Sequence, residues 1–476
     1  MTLEQSESTQ ARFEAVFKAY DIRGIVPDDL DARMAYAVGA GFAKFVIGQG
    51  ALDPRVVLAR DIRKSGVELA RAFSAGVLSV GLGVVDVGLA STDLLYFASG
   101  KLDLPGAMLT ASHNPPDYNG IKLCLSGARP IGRDSGLAEV CAVAVETYPG
   151  APGDGGVKDF HDDGRVERRD MLEEFATHVR SFVDLASLRA LKVVADTANG
   201  MGGLVAPAVF VGLPFELEIL FGELDGSFPN HPADPIQVKN LADLRARILA
   251  SGADVGLAFD GDADRVFLVD ERGEPMSGSL TTSIVAATML ERHPGSKILY
   301  NLICSHAVPE IVIERGGVPI RTRVGHSFIK AVMAETGAIF GGEHSGHYYF
   351  RDNYRADSGI IAALVVLEAL SRAGIPLSEL RVPFERYSDS GEINTEVPEP
   401  LKVIDDVADY YRGEGATIDD LDGITVDLGD WWFNLRPSNT EPLLRLNLEA
   451  RDAQERDLHR DEVLGVIRRL AGDTAR

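Results

Sequence analysis

The feature that most limits the fold of this chain is a repeated alternation of short apolar runs and polar loops. Runs rich in Val, Ile and Leu recur as far as Pro383, and each ends in a loop that contains Gly, Ser or Asp. They lie at residues 55–61, 83–88, 106–114, 191–200, 254–270, 297–302, 318–327 and 338–347. Residues 30–45 instead carry apolar side chains at helical spacing. Strands that alternate with helices predict α/β layers with ligands outside the strand ends, and three such units fit before Pro383.

The chain after Pro383 has a different pattern. Residues 443–450 alternate apolar and polar side chains, as a half-exposed strand does, and residues 463–471 have helical spacing. These features predict a smaller α+β domain with one sheet face covered. A Gly- and Asp-rich stretch at residues 149–163 disfavours a core, and it predicts a linker or long loop near the first domain boundary.

The charge balance argues against two large classes of partner. The 476 residues include 47 Lys and Arg against 71 Asp and Glu, which gives a formal net charge of −24. Nucleic acids and anionic membranes select basic surfaces, so we expect neither as a partner. The chain can still bind an anionic small molecule, but the site must then be locally positive.

The cysteines and the N-terminal segment predict a cellular location. Cys124, Cys141 and Cys304 form no CxxC pair, which is typical of buried thiols in a reducing compartment. The first ten residues are polar and acidic, unlike a signal peptide, and the longest apolar run is too short to span a bilayer. We therefore expect a cytoplasmic protein.

The segment TASHNPP, residues 110–116, contains a candidate nucleophile. Ser112 lies where a strand gives way to a Pro-containing loop, and we expect that loop to hold its hydroxyl exposed. Ser, Asn and Pro are also ordinary turn residues, so a plain turn is the alternative. No GxSxG elbow surrounds Ser112, which disfavours an acyl-transfer hydrolase.

The segment AFDGDADRV, residues 258–266, contains a candidate metal site. Asp260, Asp262 and Asp264 are spaced at i, i+2 and i+4, which puts three carboxylates on one side of an extended loop. Such carboxylates repel one another unless a cation lies among them, and hard oxygen ligands suit Mg²⁺. Arg265 follows directly and would face an incoming phosphate.

The same loop has three other interpretations. An EF-hand that begins at Asp260 requires Gly at its sixth position, where Arg265 stands, so we discard it. An aspartyl-nucleophile phosphatase of the haloacid-dehalogenase type begins with a strand and then DxDx[TV]. Asp260 and Asp262 fit that pattern, but Asp264 stands at its fifth position. A solvated turn is the remaining alternative.

Two further loops carry groups suited to a phosphosugar. RPSNTEP offers the donors Arg436, Ser438, Asn439 and Thr440, which suit phosphate oxygens, although a polar hairpin loop is the alternative. GEHSGH, residues 342–347, offers acidic, hydroxyl and imidazole groups that suit sugar hydroxyls. A zinc site at its two histidines is disfavoured, because their spacing fits no standard pattern and no cysteine lies nearby.

Together these motifs resemble the α-D-phosphohexomutase superfamily, specifically its bacterial phosphomannomutase/phosphoglucomutase branch. The resemblance spans nearly the whole chain. Its segments are YDIRG (20–24), TASHNP (110–115), NGIK (119–122), DGSFPNHPADP (225–235), FDGDADR (259–265), VGHSFIK (324–330), GEHSGH (342–347) and RPSNTEP (436–442).

The resemblance implies a fold and a division into domains. The fold is α/β, with three related α/β domains that have mixed sheets and a smaller C-terminal α+β domain around a central cleft. The implied domains are residues 1–165 with the phosphoserine loop, 166–273 with the metal loop, 274–382 with the sugar loop and 383–476 with the phosphate loop. We expect a monomer or a homodimer.

The resemblance also implies a reaction. Phosphorylated Ser112 donates its phosphoryl group to a hexose 1- or 6-phosphate, the resulting hexose 1,6-bisphosphate turns over in the site, and Ser112 takes back the other phosphate. Mg²⁺ is bound by Ser112, Asp260, Asp262 and Asp264. A hexose 1,6-bisphosphate is the activator.

Roles for the other residues follow from the same resemblance. The implied catalytic residues are Ser112, His113, Lys122, Arg265 and His326, and the general acid and base stay open among Lys122, His113 and His326. The implied substrate-binding residues are Tyr20, Arg23, Lys122, Arg265, Gly325, His326, Glu343, Ser345, His347, Arg436, Ser438, Asn439 and Thr440.

The sugar loop indicates the substrate. GEHSGH is closest to the GEMSGH form of the mannose/glucose branch, whereas the glucosamine branch more usually has GEQSGH. We therefore expect a mannose phosphate as substrate, with glucose beside it. Ile303 stands where the branch often has Lys, which affects the phosphate contacts. The alternatives are a phosphoglucosamine mutase, a phosphatase with its nucleophile at Asp260, and a non-catalytic phosphosugar-binding protein.

Overall fold

The computed structural model of the chain describes residues 3–50, 53–148, 164–437 and 443–472. The chain divides into two compact units. The first unit comprises Met1–Ser277 and Ser345–Ser378, and the second comprises Gly278–His344 and Glu379–Arg476. The predicted bounds of four domains stay a prediction.

The described residues form strands and helices in the following order. The strands are β1 (Ile22–Ile25), β2 (Arg55–Arg60), β3 (Gly83–Leu89), β4 (Gly106–Leu109), β5 (Tyr118–Leu125), β6 (Arg129–Pro130), β7 (Val166–Arg168), β8 (Leu191–Asp196), β9 (Phe215–Leu220), β10 (Val255–Phe259), β11 (Val266–Asp270), β12 (Lys297–Asn301), β13 (Val318–Thr322), β14 (Phe340–Gly342), β15 (Tyr348–Phe350), β16 (Ser388–Glu396), β17 (Thr417–Asp419), β18 (Ile424–Asp427), β19 (Trp431–Pro437) and β20 (Leu443–Ala450). The helices are α1 (Leu3–Val16), α2 (Ala32–Gly48), α3 (Gly66–Ser79), α4 (Thr92–Leu102), α5 (Leu137–Thr147), α6 (Leu172–Arg180), α7 (Gly202–Phe210), α8 (Ala242–Ser251), α9 (Gly278–Arg292), α10 (Ala307–Glu314), α11 (His326–Thr336), α12 (Gly359–Ala373), α13 (Leu377–Leu380), α14 (Pro400–Gly413) and α15 (Ala453–Ala471).

The first sheet of unit one is mixed, as predicted. Its strand order is β1-β5-β4-β2-β3-β7, with β6 paired to β5. Strands β4, β2, β3 and β7 are parallel, and β5 is antiparallel to both of its main neighbours. Helices α2 and α3 pack closely, because a Cβ atom on Gly76 would lie only 2.0 Å from the carbonyl oxygen of Tyr36.

The connection between β4 and β5 carries the candidate nucleophile. These strands pair with Met108 opposite Lys122, so the loop of residues 110–117 leaves and returns at the same sheet edge. The predicted strand over residues 106–114 is wrong beyond Leu109. The chain turns there because Ser112 has a φ of +50°, which ends the extended conformation.

The second sheet of unit one is also mixed, and it positions the acidic loop. Its order is β11-β10-β8-β9, with β10 parallel to β8 and antiparallel to β11. Phe259 pairs with Val266, so residues 260–265 form the connection between the two strands. All residues of β10 and β11 are buried, which anchors both ends of this loop in the core.

Unit two contains three parallel strands of one sheet and a separate antiparallel sheet. Strand β12 lies between β13 and β14 and is parallel to both. The antiparallel sheet has the order β16-β20-β19-β18-β17. Helices α14 and α15 contact it, and Val407, Phe433 and Val463 belong to the shared core. The predicted C-terminal α+β domain is therefore confirmed, with its strand at residues 443–450 and its helix within α15.

Other predictions have mixed outcomes. Cys124, Cys141 and Cys304 are free and buried, as expected. The predicted linker at residues 149–163 lies outside the described residues. Within the described part of the chain, no single helix is long and apolar enough to cross a membrane, while the bent pair Gly359–Ala373 and Leu377–Phe384 satisfies the length and composition criteria together.

Candidate active site

The loop after β4 holds Ser112 in a left-handed backbone conformation. The Ser112 N–H donates to the Thr110 hydroxyl at 2.9 Å, and this contact supports the turn. The carbonyl oxygen of Ser112 approaches the acidic loop so closely that a Cβ atom on Gly261 would lie 2.5 Å from it. Glycine at position 261 is thus what allows the two loops to meet.

The hydroxyl of Ser112 contacts the acidic loop directly. Ser112 Oγ donates to Asp260 Oδ2 at 2.7 Å, and the Arg265 guanidinium donates to Oγ at 3.1 Å. The expectation of an exposed hydroxyl is wrong, since Ser112 is only 4% exposed. Asp260 and Arg265 cover it from a distant part of the sequence.

The three aspartates of the acidic loop converge. Asp260, Asp262 and Asp264 are buried, and each offers an oxygen within 4.8 Å of the others. Lys122 Nζ donates to Asp262 Oδ2 and to Asp264 Oδ2, at 2.8 Å in both cases. Arg265 Nε donates to Asp260 Oδ2 at 2.9 Å. The site therefore gathers three carboxylates and two cationic side chains.

Burial and mutual repulsion act strongly on these carboxyl groups. Burial and the neighbouring carboxylates raise the pKa of Asp260 well above its ordinary value and raise the pKa of Asp264 to about 6. Burial acts in the same direction at Asp262, but the Lys122 ammonium outweighs it and lowers the pKa of that carboxyl. Ionising Asp260 and Asp264 in the folded protein therefore costs free energy.

The cluster fits a divalent cation. Asp262 Oδ1 and Asp264 Oδ1 are buried and have no hydrogen-bond partner among the described residues. Buried polar atoms are normally satisfied, and hard carboxylate oxygens are the ligands that ions such as Mg²⁺ prefer. A cation there would satisfy both oxygens and stabilise the ionised forms of Asp260 and Asp264.

Two predicted acid–base candidates sit beside the cluster in defined protonation states. The charge of Arg265, together with burial, lowers the pKa of His113 well below its ordinary value, and the Arg265 guanidinium donates to His113 Nδ1 at 2.5 Å. Burial lowers the pKa of Lys122, but the carboxylates of Asp262 and Asp264 outweigh burial and raise it well above the ordinary value. His113 is therefore neutral and Lys122 is charged.

Four more predicted residues lie in unit one. Arg23 donates to Asn114 Oδ1 at 2.6 Å, which brings it to the serine loop, and Tyr20 is half-buried just before β1. His347 Nε2 lies 3.9 Å from Asp264 Oδ1. Its Nδ1 is 3.0 Å from Ser345 Oγ.

Three predicted residues are described in unit two. The Gly325 N–H donates to Glu343 Oε1 at 3.3 Å, and Glu343 is buried. Arg436 is also buried and donates to Glu392 at 2.6 Å and to Asn447 at 3.0 Å. The predicted residues Ser438, Asn439 and Thr440, and the side chain of His326, lie outside the described part of the chain.

A supporting residue that the motifs did not single out is Arg63. It is fully buried and donates to the carbonyl oxygens of Ser112, Asn114, Pro115 and Tyr118 at 2.6–2.9 Å. Its Nε donates to Asp61 at 3.2 Å. The available signal was a charged pair directly after a buried strand, at a strand end where sites form.

A second missed residue is Thr92, at the start of α4. Its hydroxyl donates to Asp262 Oδ2 at 2.6 Å. A lone threonine in the sequence LASTDLL offers no such signal, because its partner lies 170 positions away.

Comparison with known proteins gives consistent matches along the chain. The family models that match are phosphoglucomutase/phosphomannomutase alpha/beta/alpha domain I at residues 14–144, domain II at 173–273, domain III at 277–387 and the C-terminal domain at 392–466.

Individual proteins match over nearly the full length. The chain is 38% identical over 444 residues to a phosphomannomutase from Escherichia coli strain K12, which covers 91% of this chain and 94% of that protein. It is also 38% identical over 456 residues to the phosphohexose mutases of Xanthomonas campestris pv. campestris strain B100, with 95% and 99% covered. A crystal structure of a phosphoglucomutase/phosphomannomutase family protein from Burkholderia thailandensis superposes with a TM-score of 0.85 at 32% identity, covering 96% of this chain and 98% of that one.

Replacing Arg63 tests the support of the serine loop. We expect Arg63→Met to lower the free energy of unfolding by about 3–5 kcal/mol, because it removes one partner of a buried ion pair and leaves loop carbonyls unsatisfied. Urea unfolding measures the change. Arg55→Met is the matched control, since Arg55 forms exposed ion pairs, and we expect it to cost less than about 1 kcal/mol. Equal losses in both variants would contradict the assignment.

Replacing Asp264 tests the acidic cluster. In chelator at pH 8, we expect Asp264→Asn to stabilise the protein by on the order of 1 kcal/mol, because it removes one of three mutually repelling buried charges. Added divalent chloride should then raise the melting temperature of the wild type much more than that of the variant. Thermal unfolding with and without the salt measures both effects. The control is Asp86→Asn on β3, and a cation response in Asp264→Asn as large as in this control would refute the cluster as a cation site.

Proposed function

The chain belongs to the phosphoglucomutase/phosphomannomutase family, and from that premise we propose that it interconverts hexose 6-phosphates and hexose 1-phosphates through a phosphoserine at Ser112. Mannose is the proposed sugar and glucose is a proposed second substrate. A hexose 1,6-bisphosphate is the proposed intermediate and activator. The observation that carries the proposal is the contact of Ser112 Oγ with both Asp260 and Arg265. It unites a nucleophile, a proton acceptor and a cationic group in one buried site.

The first transfer breaks the bond between phosphorus and Ser112 Oγ. A sugar hydroxyl attacks the phosphoserine, a new bond forms between the sugar oxygen and phosphorus, and Oγ leaves with the electron pair. The Arg265 N–H that donates to Oγ stabilises the charge that develops there. The hydroxyl proton passes to a general base, for which His113 and His326 stay open, and the leaving Oγ takes up a proton from Asp260 Oδ2, its hydrogen-bond partner.

The return transfer regenerates the phosphoserine. Ser112 Oγ attacks a phosphorus of the bisphosphate, the bond from that phosphorus to the sugar oxygen breaks, and the sugar oxygen leaves and takes a proton from the general acid. The proton of the Ser112 hydroxyl passes to Asp260 Oδ2, which already accepts a hydrogen bond from that hydroxyl. Lys122, which donates to Asp262 and Asp264, carries a positive charge that attracts the transferring phosphoryl group.

A cation completes the proposed site. Mg²⁺ would be held by Asp260, Asp262 and Asp264 together with an oxygen on Ser112, and it would neutralise charge on the transferring phosphoryl group. The unsatisfied oxygens of Asp262 and Asp264 support this assignment.

Neutral His113 and charged Lys122 suggest separate roles. His113 accepts a hydrogen bond from Arg265, so we propose that it orients the guanidinium. The carboxylates of Asp262 and Asp264 favour the charged form of Lys122, so we assign it an electrostatic role and keep it as a candidate general acid.

The remaining residues are proposed to bind the substrate. Arg436 donates to Glu392 and Asn447, and we propose that it binds the second phosphate together with Ser438, Asn439 and Thr440. The proposed sugar and phosphate contacts are Tyr20, Arg23, Gly325, His326, Glu343, Ser345, His347, Arg436, Ser438, Asn439 and Thr440. The three buried, free cysteines support a cytoplasmic location.

Replacing Ser112 tests the nucleophile. We expect Ser112→Ala to lower kcat on the order of 10⁴-fold or more, because no other group takes the phosphoryl transfer. Incubation with a hexose 1,6-bisphosphate should phosphorylate the wild type at Ser112, as peptide mass spectrometry would detect. The control Ser79→Ala removes a hydroxyl that only bonds within α3, and it should leave both readouts unchanged.

The same experiment separates the phosphatase alternative. Hydroxylamine cleaves an acyl phosphate on Asp260 but leaves a phosphoserine intact. Two results would refute the mutase mechanism. One is release by hydroxylamine of the phosphate that the bisphosphate transfers to the wild type, and the other is full phosphorylation of Ser112→Ala.

Side-by-side substrates test the sugar. With Mg²⁺ and the matching bisphosphate, we expect kcat/KM for mannose 1-phosphate and glucose 1-phosphate to exceed that for glucosamine 1-phosphate at least about tenfold. Coupled assays measure each rate. Higher efficiency with glucosamine 1-phosphate would instead favour the phosphoglucosamine mutase alternative.

A further inference from the structure

Thr92 links the first helix turn of α4 to the middle aspartate of the acidic loop. Both belong to unit one, 170 positions apart in the chain. The Thr92 hydroxyl donates to Asp262 Oδ2 at 2.6 Å, and the Thr92 N–H donates to the Asp262 carbonyl oxygen at 3.0 Å. Thr92 is fully buried, so neither bond competes with water. One residue thus holds both the side chain and the main chain of Asp262.

These contacts determine which carboxylate oxygen of Asp262 is available. Oδ2 accepts from Thr92 at 2.6 Å and from Lys122 at 2.8 Å. Oδ1 is buried and has no hydrogen-bond partner among the described residues. Because two donors from different elements hold Oδ2, rotation of the carboxylate is restricted, and Oδ1 is left as the oxygen without a donor among the described residues. Asp262 also offers an oxygen to the cluster formed with Asp260 and Asp264.

Asp262 differs from the other two aspartates in how it is held. Asp260 is held by Ser112 and Arg265, which belong to the reacting groups, and Asp264 accepts from Lys122. Asp262 alone among the three receives a neutral hydroxyl donor from outside that set, on the described contacts. A neutral donor at the start of a helix stabilises the ionised carboxylate. Unlike a second positively charged side chain, it does not repel the cation.

We propose that Thr92 is a positioning residue that aims Oδ1 of Asp262 at the divalent cation and thereby determines the affinity of the site for it. The inference rests on the proposed function in that the acidic cluster holds a cation. It extends that function to a residue outside the motifs. Groups that orient metal ligands typically change metal affinity 10–100-fold when they are removed.

Thr92→Val and Thr92→Ser separate the hydroxyl from the packing. Valine keeps the branched shape and loses the donor, serine keeps the donor, and both retain the main-chain bond to Asp262. We expect Thr92→Val to weaken cation binding about 10–100-fold and Thr92→Ser to stay within about threefold of the wild type. Isothermal titration of manganese chloride into the full-length protein without sugar measures both.

Thr288→Val is the matched control. Thr288 is also a buried threonine, but its hydroxyl donates to the Ile284 carbonyl oxygen within α9. The cation affinity of Thr288→Val should equal that of the wild type. At saturating cation, the KM of Thr92→Val for the sugar phosphate should also be unchanged, because the proposal assigns Thr92 to the cation alone.

The outcomes separate the inference from the proposed function. Wild-type affinity in a folded Thr92→Val overturns the inference, even if that variant melts earlier in chelator, since a purely structural role would give that result. If the wild type itself binds no divalent cation, the metal part of the proposed function fails and the inference fails with it. If Thr92→Val does not fold, Thr92→Ala removes the same donor without placing a methyl group against the carboxylate, and the same criterion applies.

Discussion

The site depends on the hydrogen bonds that the buried guanidinium of Arg63 donates to the serine loop. Taking an arginine out of water costs several kcal/mol, and only a full set of partners offsets that cost. Asp61 balances the charge, and four loop carbonyls between Ser112 and Tyr118 accept the N–H groups. Because those carbonyls must all point at one planar group, the loop has a single shape. The left-handed turn that directs Ser112 toward Asp260 is part of that shape.

The electrostatics of the site explain how a chain with a net charge of −24 can handle phosphates. Three buried carboxylates exceed the two cationic side chains, Lys122 and Arg265, by one charge, so the protein groups alone repel an anion. A divalent cation reverses the sign and makes the site locally positive. The raised pKa values of Asp260 and Asp264 have the same origin, since both express repulsion that a cation relieves. On the proposed function, affinity for the cation and affinity for the substrate would therefore be coupled through one cluster.

Local patterns predicted the groups that act within one loop. The spacing of Asp260, Asp262 and Asp264 was sufficient to predict a cluster, because a short connection between two buried strands keeps its side chains together. The α/β alternation and the final α+β domain were also predicted from local patterns in the sequence. The burial of Ser112 was not, because its cover comes from residues 148 and 153 positions away. Thr92 was not predicted for the same cause, since its partner Asp262 is distant in the sequence, and the contacts of Arg63 with the serine loop likewise join residues about 50 positions apart.

The topology of the first sheet connects these supporting residues. Strands β4, β2 and β3 are parallel neighbours, so their carboxyl ends lie at the same edge. Ser112 follows β4, Arg63 follows β2 and Thr92 follows β3. The proposed nucleophile, the residue that supports its loop and the residue that holds a proposed metal ligand therefore follow three adjacent strands, each within a few residues of the strand end. Loops outside parallel strand ends are where α/β folds place ligands, and here the same geometry also supplies the buried contacts that hold the site in shape.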